Sequence, residues 1–128
     1  RLRPDLAETQ NNLGSAVLAK KDTKAAIWHF QEALRLSPAI VAIQSNLARA
    51  LLLDNQPAAA AEIYADLCRR YPDNPTFLCN LGVTLYQSGK KTEAITIFRR
   101  ALEIDPNLPD ARENLRAAME EVEKASGQ

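Results

Sequence analysis

Histidine occurs once in this sequence, cysteine twice and glycine four times, and neither sign of charge is in surplus. Each scarcity removes a class of chemistry. A nucleophile–base pair needs a base within hydrogen-bond reach of a serine or cysteine, and His29, the only histidine, has no suitable partner in its own segment. Cys68 and Cys79 are too few for a disulfide framework and too far apart for a zinc site. They read as free thiols, which suits a reducing compartment and makes the cytoplasm the default setting. Gly14, Gly82, Gly89 and Gly127 are isolated, so there is no glycine-rich phosphate loop. The adjacent carboxylates Glu120 and Glu121 are accounted for by a solvated helix face. The chain is therefore expected not to be an enzyme and to need no cofactor or metal.

Lys plus Arg and Asp plus Glu both number 16, which leaves a formal net charge of zero. A nucleic-acid binder draws most of its affinity from phosphate neutralisation, so no nucleic-acid partner is expected. The apolar runs 50–53 and 57–61 fall far short of the roughly 20 residues of a membrane span. No membrane association is expected either, and the first residues lack the apolar stretch of a signal peptide. The chain opens on Arg1 rather than Met, as an excised or processed fragment would.

What the sequence has is a repeat. Its hydrophobic fraction of 46% and charged fraction of 25% are those of a globular domain. Pro38, Pro72 and Pro106 stand 34 residues apart, and Pro4 continues the series backwards. The same spacing relates Asn12-Leu13-Gly14, Asn46-Leu47-Ala48, Asn80-Leu81-Gly82 and Asn114-Leu115-Arg116. It also relates Ala26, Ala60 and Ala94, and the aromatics Phe30, Tyr64 and Phe98. Each unit holds two amphipathic stretches of about 14 residues with apolar positions at helical spacing. Small residues at Gly14, Ala48, Gly82, Ala26, Ala60 and Ala94 let paired helices approach, and the aromatics fill the space beyond. Pro38, Pro72 and Pro106 disfavour helix in the residue before them, so they end each second helix. Pro57 sits where a helix begins, a position that tolerates proline.

These columns resemble the tetratricopeptide repeat family, whose 34-residue pattern runs Leu-Gly, a large residue, Ala-x3-Phe/Tyr and Pro. Ala48 in place of Gly, Leu67 in place of a small residue and the missing Trp near each start are departures. The resemblance implies an all-α fold, a right-handed α-solenoid of antiparallel helix pairs. Residues 1–6 are expected to be the tail of a preceding repeat. Three repeats then follow at 7–40, 41–74 and 75–108, with a C-terminal capping helix at 109–128. In that helix Arg116 replaces the small residue and obstructs a further partner, while Leu115, Ala118, Met119 and Val122 are expected to be buried.

The resemblance also implies a superhelix whose concave face is lined by the first helix of each pair. With Leu13, Val17, Leu47, Leu51, Leu81 and Leu85 pointing into the core, the groove is expected to carry Asn12, Asn46, Asn80 and Asn114. Asn11, Ser15, Arg49, Leu53, Val83 and Tyr86 lie beside them. Asn is a mediocre helix residue, and its amide can both donate to and accept from a peptide backbone. The alternative is that the Asn column serves only hydrogen bonds within the repeats. Cys79 is placed at the groove, accessible, and Cys68 in the core. Trp28 is expected either to pack partly against a neighbour or to mark a contact surface, and His29 to be a surface residue. The family's clamp for chaperone C-termini needs Lys or Arg where this chain has Asn11, Ser15, Thr76 and Asn80. The expected function is a protein-interaction module holding an extended or helical segment of a partner protein in the groove, as a monomer or weak homo-oligomer. The alternative is a spacer or self-association element of a larger protein.

Overall fold

The computed structural model describes residues 3–127. They form seven α-helices and, among the described residues, no strand. The helices are α1 (Pro4–Ala19), α2 (Thr23–Leu36), α3 (Val41–Leu53), α4 (Pro57–Arg70), α5 (Pro75–Gln87), α6 (Lys91–Ile104) and α7 (Ala111–Ser126). The chain divides into two compact units, one ending at Ile63 and the other starting at Tyr64, so the boundary falls inside α4.

In the first unit, α2 packs against α1 and α3. Ala26, Phe30 and Ala33, at i, i+4 and i+7 along α2, are fully buried. Phe30 lies on α1 where a glycine admits it. A Cβ built on Gly14 would stand 2.6 Å from Phe30 Cε1, far inside van der Waals contact. In the second unit α6 packs against α5 and α7, and the arrangement recurs. Ala94, Phe98 and Ala101 are buried on α6, and a Cβ on Gly82 would stand 2.6 Å from Phe98 Cε1. Burying a large apolar side chain contributes about 1.5–3 kcal/mol, so each ring anchors its helix pair.

Lys21, Asn55 and Gly89 close the turn between first and second helices, all with positive φ (66°, 60° and 85°). In each turn the next residue's N–H reaches back to a carbonyl of the first helix. Asp22 N bonds Val17 O at 3.0 Å, Gln56 N bonds Leu51 O at 2.8 Å, and Lys90 N bonds Leu85 O at 2.9 Å. This is the closure that satisfies orphan carbonyls at a helix C-terminus. The second helices stop where proline dictates. Ser37 and Asp105, before Pro38 and Pro106, leave helical geometry at φ −147° and −135°. Asp22 and Asn74 cap α2 and α5 through hydrogen bonds from Ala25 N (3.2 Å) and Phe77 N (3.0 Å), and Pro57 opens α4.

Two expectations need revision. Leu13, expected in the core, is 44% exposed, whereas its counterpart Leu47 is buried. Among the described residues α1 is packed by α2 and α3 alone, and Leu13 shares an open side with exposed Leu6, one heptad earlier. Met119, expected in the buried stripe of α7, is 41% exposed; among the described residues α7 packs mainly against α5 and α6, and Met119 faces away from both cores. The stretch expected to be the tail of a preceding repeat, residues 1–6, includes the start of α1 at Pro4. Residues 1 and 2 of that expectation lie outside the described ones.

The glycine column yields a prediction with an unusual sign. In an exposed helix interior Gly→Ala gains about 1 kcal/mol. Gly82→Ala is expected instead to lower stability by about 1–2 kcal/mol, because the new methyl overlaps the buried Phe98 ring. Urea unfolding followed by circular dichroism reads the sign directly.

Candidate functional site

The first helices carry every sequence-predicted site residue, and the structure divides those residues into two groups. In the first unit Asn46 Nδ2 donates to Asn11 Oδ1 at 3.0 Å, with both side chains half-buried. Asn12, Ser15 and Arg49 are exposed and make no side-chain hydrogen bond or ion pair among the described residues. Leu53, at the end of α3, is 61% exposed.

In the second unit the arrangement is denser. The Asn114 amide of α7 stands beside the Cys79 thiol of α5. Cys79 is buried rather than accessible at a groove. Burial pushes its thiol pKa up, and the Asn114 amide pulls only partly against that. Cys68, expected in the core, is half-buried, and burial raises its thiol pKa as well. Neither thiol has the lowered pKa of a reactive cysteine.

Val83, Tyr86 and Asn114 converge on one pocket of about 210 Å³, completed by Gln87, Phe98 and Ala117. Its walls are apolar where Val83, Phe98 and Ala117 face it, and two amides, Asn114 and Gln87, supply donors and acceptors. Asn80 is half-buried on α5 without joining the lining.

The Tyr86 hydroxyl is committed elsewhere. It donates to Glu121 Oε1 at 2.5 Å, and Lys91 Nζ of α6 lies 2.6 Å from Glu121 Oε2. Lys91 also stands 5.8 Å from the centroid of the Tyr86 ring. The three residues tie α5, α6 and α7 together beside the pocket. Lys91, and then Tyr86, hold the Glu121 carboxyl below its ordinary range, while Glu121 raises the Tyr86 hydroxyl. Tyr86 thus offers the pocket a ring and no free hydroxyl.

Sequence reasoning placed Gln87 on this face but missed Phe98 and Ala117 in the pocket, and Lys91 and Glu121 beside it. One signal was available. Asn11 and Asn46, Cys79 and Asn114, and Tyr86 and Glu121 are each 35 residues apart, one repeat plus one residue. That offset is where one first helix reaches the next.

On the remaining surface, Trp28 is 55% exposed with its ring edge-on to His29 at 5.1 Å. His29 Nδ1 lies 2.7 Å from Gln10 Oε1. Among the described residues no three His, Cys, Asp or Glu are grouped to hold a metal, and no helix is long and apolar enough to cross a membrane.

Comparison with known proteins agrees with the geometry. A family profile described as Tetratricopeptide repeat matches residues 11–75 and 45–109. No curated protein matches significantly in sequence. Solved structures do match in fold. The Sgt2 TPR domain from Aspergillus fumigatus superposes with a TM-score of 0.86 at 22% identity, over 99% of this chain and 85% of that one. The first TPR domain of human RPAP3 gives 0.86 at 18% identity, over 98% and 99%. The first TPR of Spaghetti (RPAP3), bound to the HSP90 peptide SRMEEVD, gives 0.84 at 18% identity, over 94% and 96%. The all-α solenoid of helix pairs is thus the fold of this chain.

The Tyr86–Glu121–Lys91 contact predicts a titration. Because the carboxyl pKa is lowered on folding, its stabilising contribution is present above the unfolded value near 4.5 and is lost as pH falls through the lower folded value. Tyr86→Phe removes one of the two groups that lower it. The Glu121 pKa, followed by carboxyl-carbon NMR, is expected to rise in that variant, and the acid side of the stability profile is expected to flatten. An unchanged Glu121 titration contradicts the contact.

Proposed function

Because this chain belongs to the tetratricopeptide repeat family, we propose that it is a protein-interaction module that takes an extended or helical segment of a partner on the face of its first helices. The observation that carries this reading is the α5–α7 pocket, with apolar walls at Val83, Phe98 and Ala117 and the amides of Asn114 and Gln87. Binding sites of this kind are largely apolar, with a few placed polar groups to fix orientation. A volume of about 210 Å³ suits one large apolar side chain, such as Leu, Met or Phe. The amides suit the backbone on either side of it, since a peptide presents alternating N–H and C=O groups.

The asparagines divide between two roles. Asn46 spends one hydrogen bond on a neighbouring first helix, and the Asn114 amide stands beside the Cys79 thiol of another. An amide offers more bonds than that one contact consumes, so both retain capacity for a ligand.

The SRMEEVD peptide held by the first TPR of Spaghetti is acidic at its C-terminal end. Recognition of carboxylates calls for Lys or Arg. Asn11, Ser15, Thr76 and Asn80 stand in the region where the clamp would place them, and Arg49 is the single cation among the residues assigned to the face. Chaperone-type acidic C-termini are therefore not the ligands of this chain.

Panning of displayed peptides against the chain, with SRMEEVD as a control, tests this reading. Enriched peptides are expected to share a central apolar residue, and Val83→Asp is expected to weaken them about tenfold or more. Helicity should stay unchanged, since Val83 is only partly buried. Enrichment of acidic C-termini, or binding indifferent to Val83→Asp, contradicts the proposal.

A further inference from the structure

The last helix of the described chain, α7, presents three faces. Ala111 and Ala118 are fully buried against the core of the second unit. Asn114, Ala117 and Glu121 turn toward the pocket and the Tyr86 contact. At 100° per residue, the remaining face, nearly opposite the pocket, holds Arg112, Leu115, Arg116, Met119, Glu120 and Glu123, which line a shallow open depression. Leu115 is half-buried and Met119 is 41% exposed. In the first repeat the corresponding face, at Gly14, is the one covered by Phe30 of α2. Here Arg116 takes the glycine's place.

The order of charge along this face is informative. Arg112 and Arg116 occupy its N-terminal half, Leu115 and Met119 its middle, and Glu120 and Glu123 its C-terminal half. A face with cations at one end, apolar residues between and anions at the other complements its own copy turned end for end. A two-fold axis does this to an isologous interface. Place the axis level with residue 117 on two antiparallel α7 helices. Leu115 then meets Met119 of the partner subunit, and Met119 meets the partner's Leu115. Arg112 lies within a turn of the partner's Glu123, and Arg116 within a turn of the partner's Glu120. Within one chain these charges are poorly used. Arg116 reaches Glu113 and Glu120 only at 3.9 Å, and Arg112 has no ion pair among the described residues. Arg99 of α6, whose guanidinium lies 3.9 Å from Met119 Sδ, adds a further cation at the rim.

We infer that α7 is a self-association surface, through which two copies of this chain pair antiparallel by Leu115–Met119 contacts flanked by reciprocal Arg–Glu pairs. The surface is distinct from the α5–α7 pocket, so dimerisation leaves peptide binding open. One helix face is small against the roughly 1,200 Å² of a standard interface, so the dimer is weak, with a dissociation constant on the order of 100 µM.

Sedimentation equilibrium of the 128-residue chain between about 10 µM and 1 mM, at low and physiological salt, tests the inference. The wild type is expected to show a reversible monomer–dimer equilibrium that weakens with salt. Arg112→Glu/Arg116→Glu makes the face wholly acidic and Glu120→Arg/Glu123→Arg makes it wholly basic. Each alone is expected to weaken the dimer tenfold or more, and an equimolar mixture is expected to restore it. Met119→Asp in both members of the mixture is expected to abolish that restoration, which separates a shaped contact from attraction between oppositely charged proteins. All five positions are exposed or on an open face, so circular dichroism should be unchanged. A wild type that stays monomeric at 1 mM, or dimers that persist in both charge-reversed variants, overturns the inference.

Discussion

The contact on which the rest of the structure depends is an aromatic ring set against a glycine. Phe30 on Gly14 and Phe98 on Gly82 bring second and first helices closer than any side chain on the glycine would allow. That approach aligns the small residues Ala26 and Ala94, buries Ala33 and Ala101, and leaves the far side of each first helix without a covering helix of its own pair. The face proposed to bind a partner is thus a by-product of the packing rule that builds the repeat. The turns at Lys21, Asn55 and Gly89 serve the same rule, since each accepts a left-handed residue in return for a short reversal.

A second regularity acts across repeats. Side chains 35 residues apart meet on successive first helices: Asn11 with Asn46, Cys79 with Asn114, and Tyr86 with Glu121. These contacts register one repeat on the next with polar groups. They also give two members of the asparagine column, Asn46 and Asn114, a structural role beside the binding role proposed for them. An amide bonded on one side to its neighbour is held in place for whatever it bonds on the other.

Features set by local covalent constraints were legible in the sequence. Pro38 and Pro106 end helices because the residue before a proline resists helical geometry, and Ser37 and Asp105 comply. Gly14 and Gly82 marked close approach because no other residue fits there. Features that depend on which helix lies opposite were not legible. Leu13 and Met119 carry the same pattern as buried counterparts, yet each lies on a side that no described helix covers. Cys79 was read as accessible because the register of α7 on α5, which puts Asn114 over it, does not show in either helix alone. The left-handed turn at Lys21 gave no signal, since lysine has no preference for positive φ; the hydrogen bonds of the closure impose it. The pocket was half legible for the same reason. Val83, Tyr86, Gln87 and Asn114 belong to the repeat columns of the first helices, whereas Phe98 and Ala117 join only through three-helix packing.

The central claim is that partners bind on the first-helix face of the second unit, around the α5–α7 pocket. Its most direct test is a titration of the isotopically labelled chain with a selected apolar-centred peptide, followed through backbone amide and methyl NMR signals. The account predicts saturable shifts centred on Val83, Tyr86, Gln87 and Asn114, with α2 and the outer face of α6 unmoved. Shifts confined to the second helices, with Val83 and Asn114 silent at saturation, would contradict it.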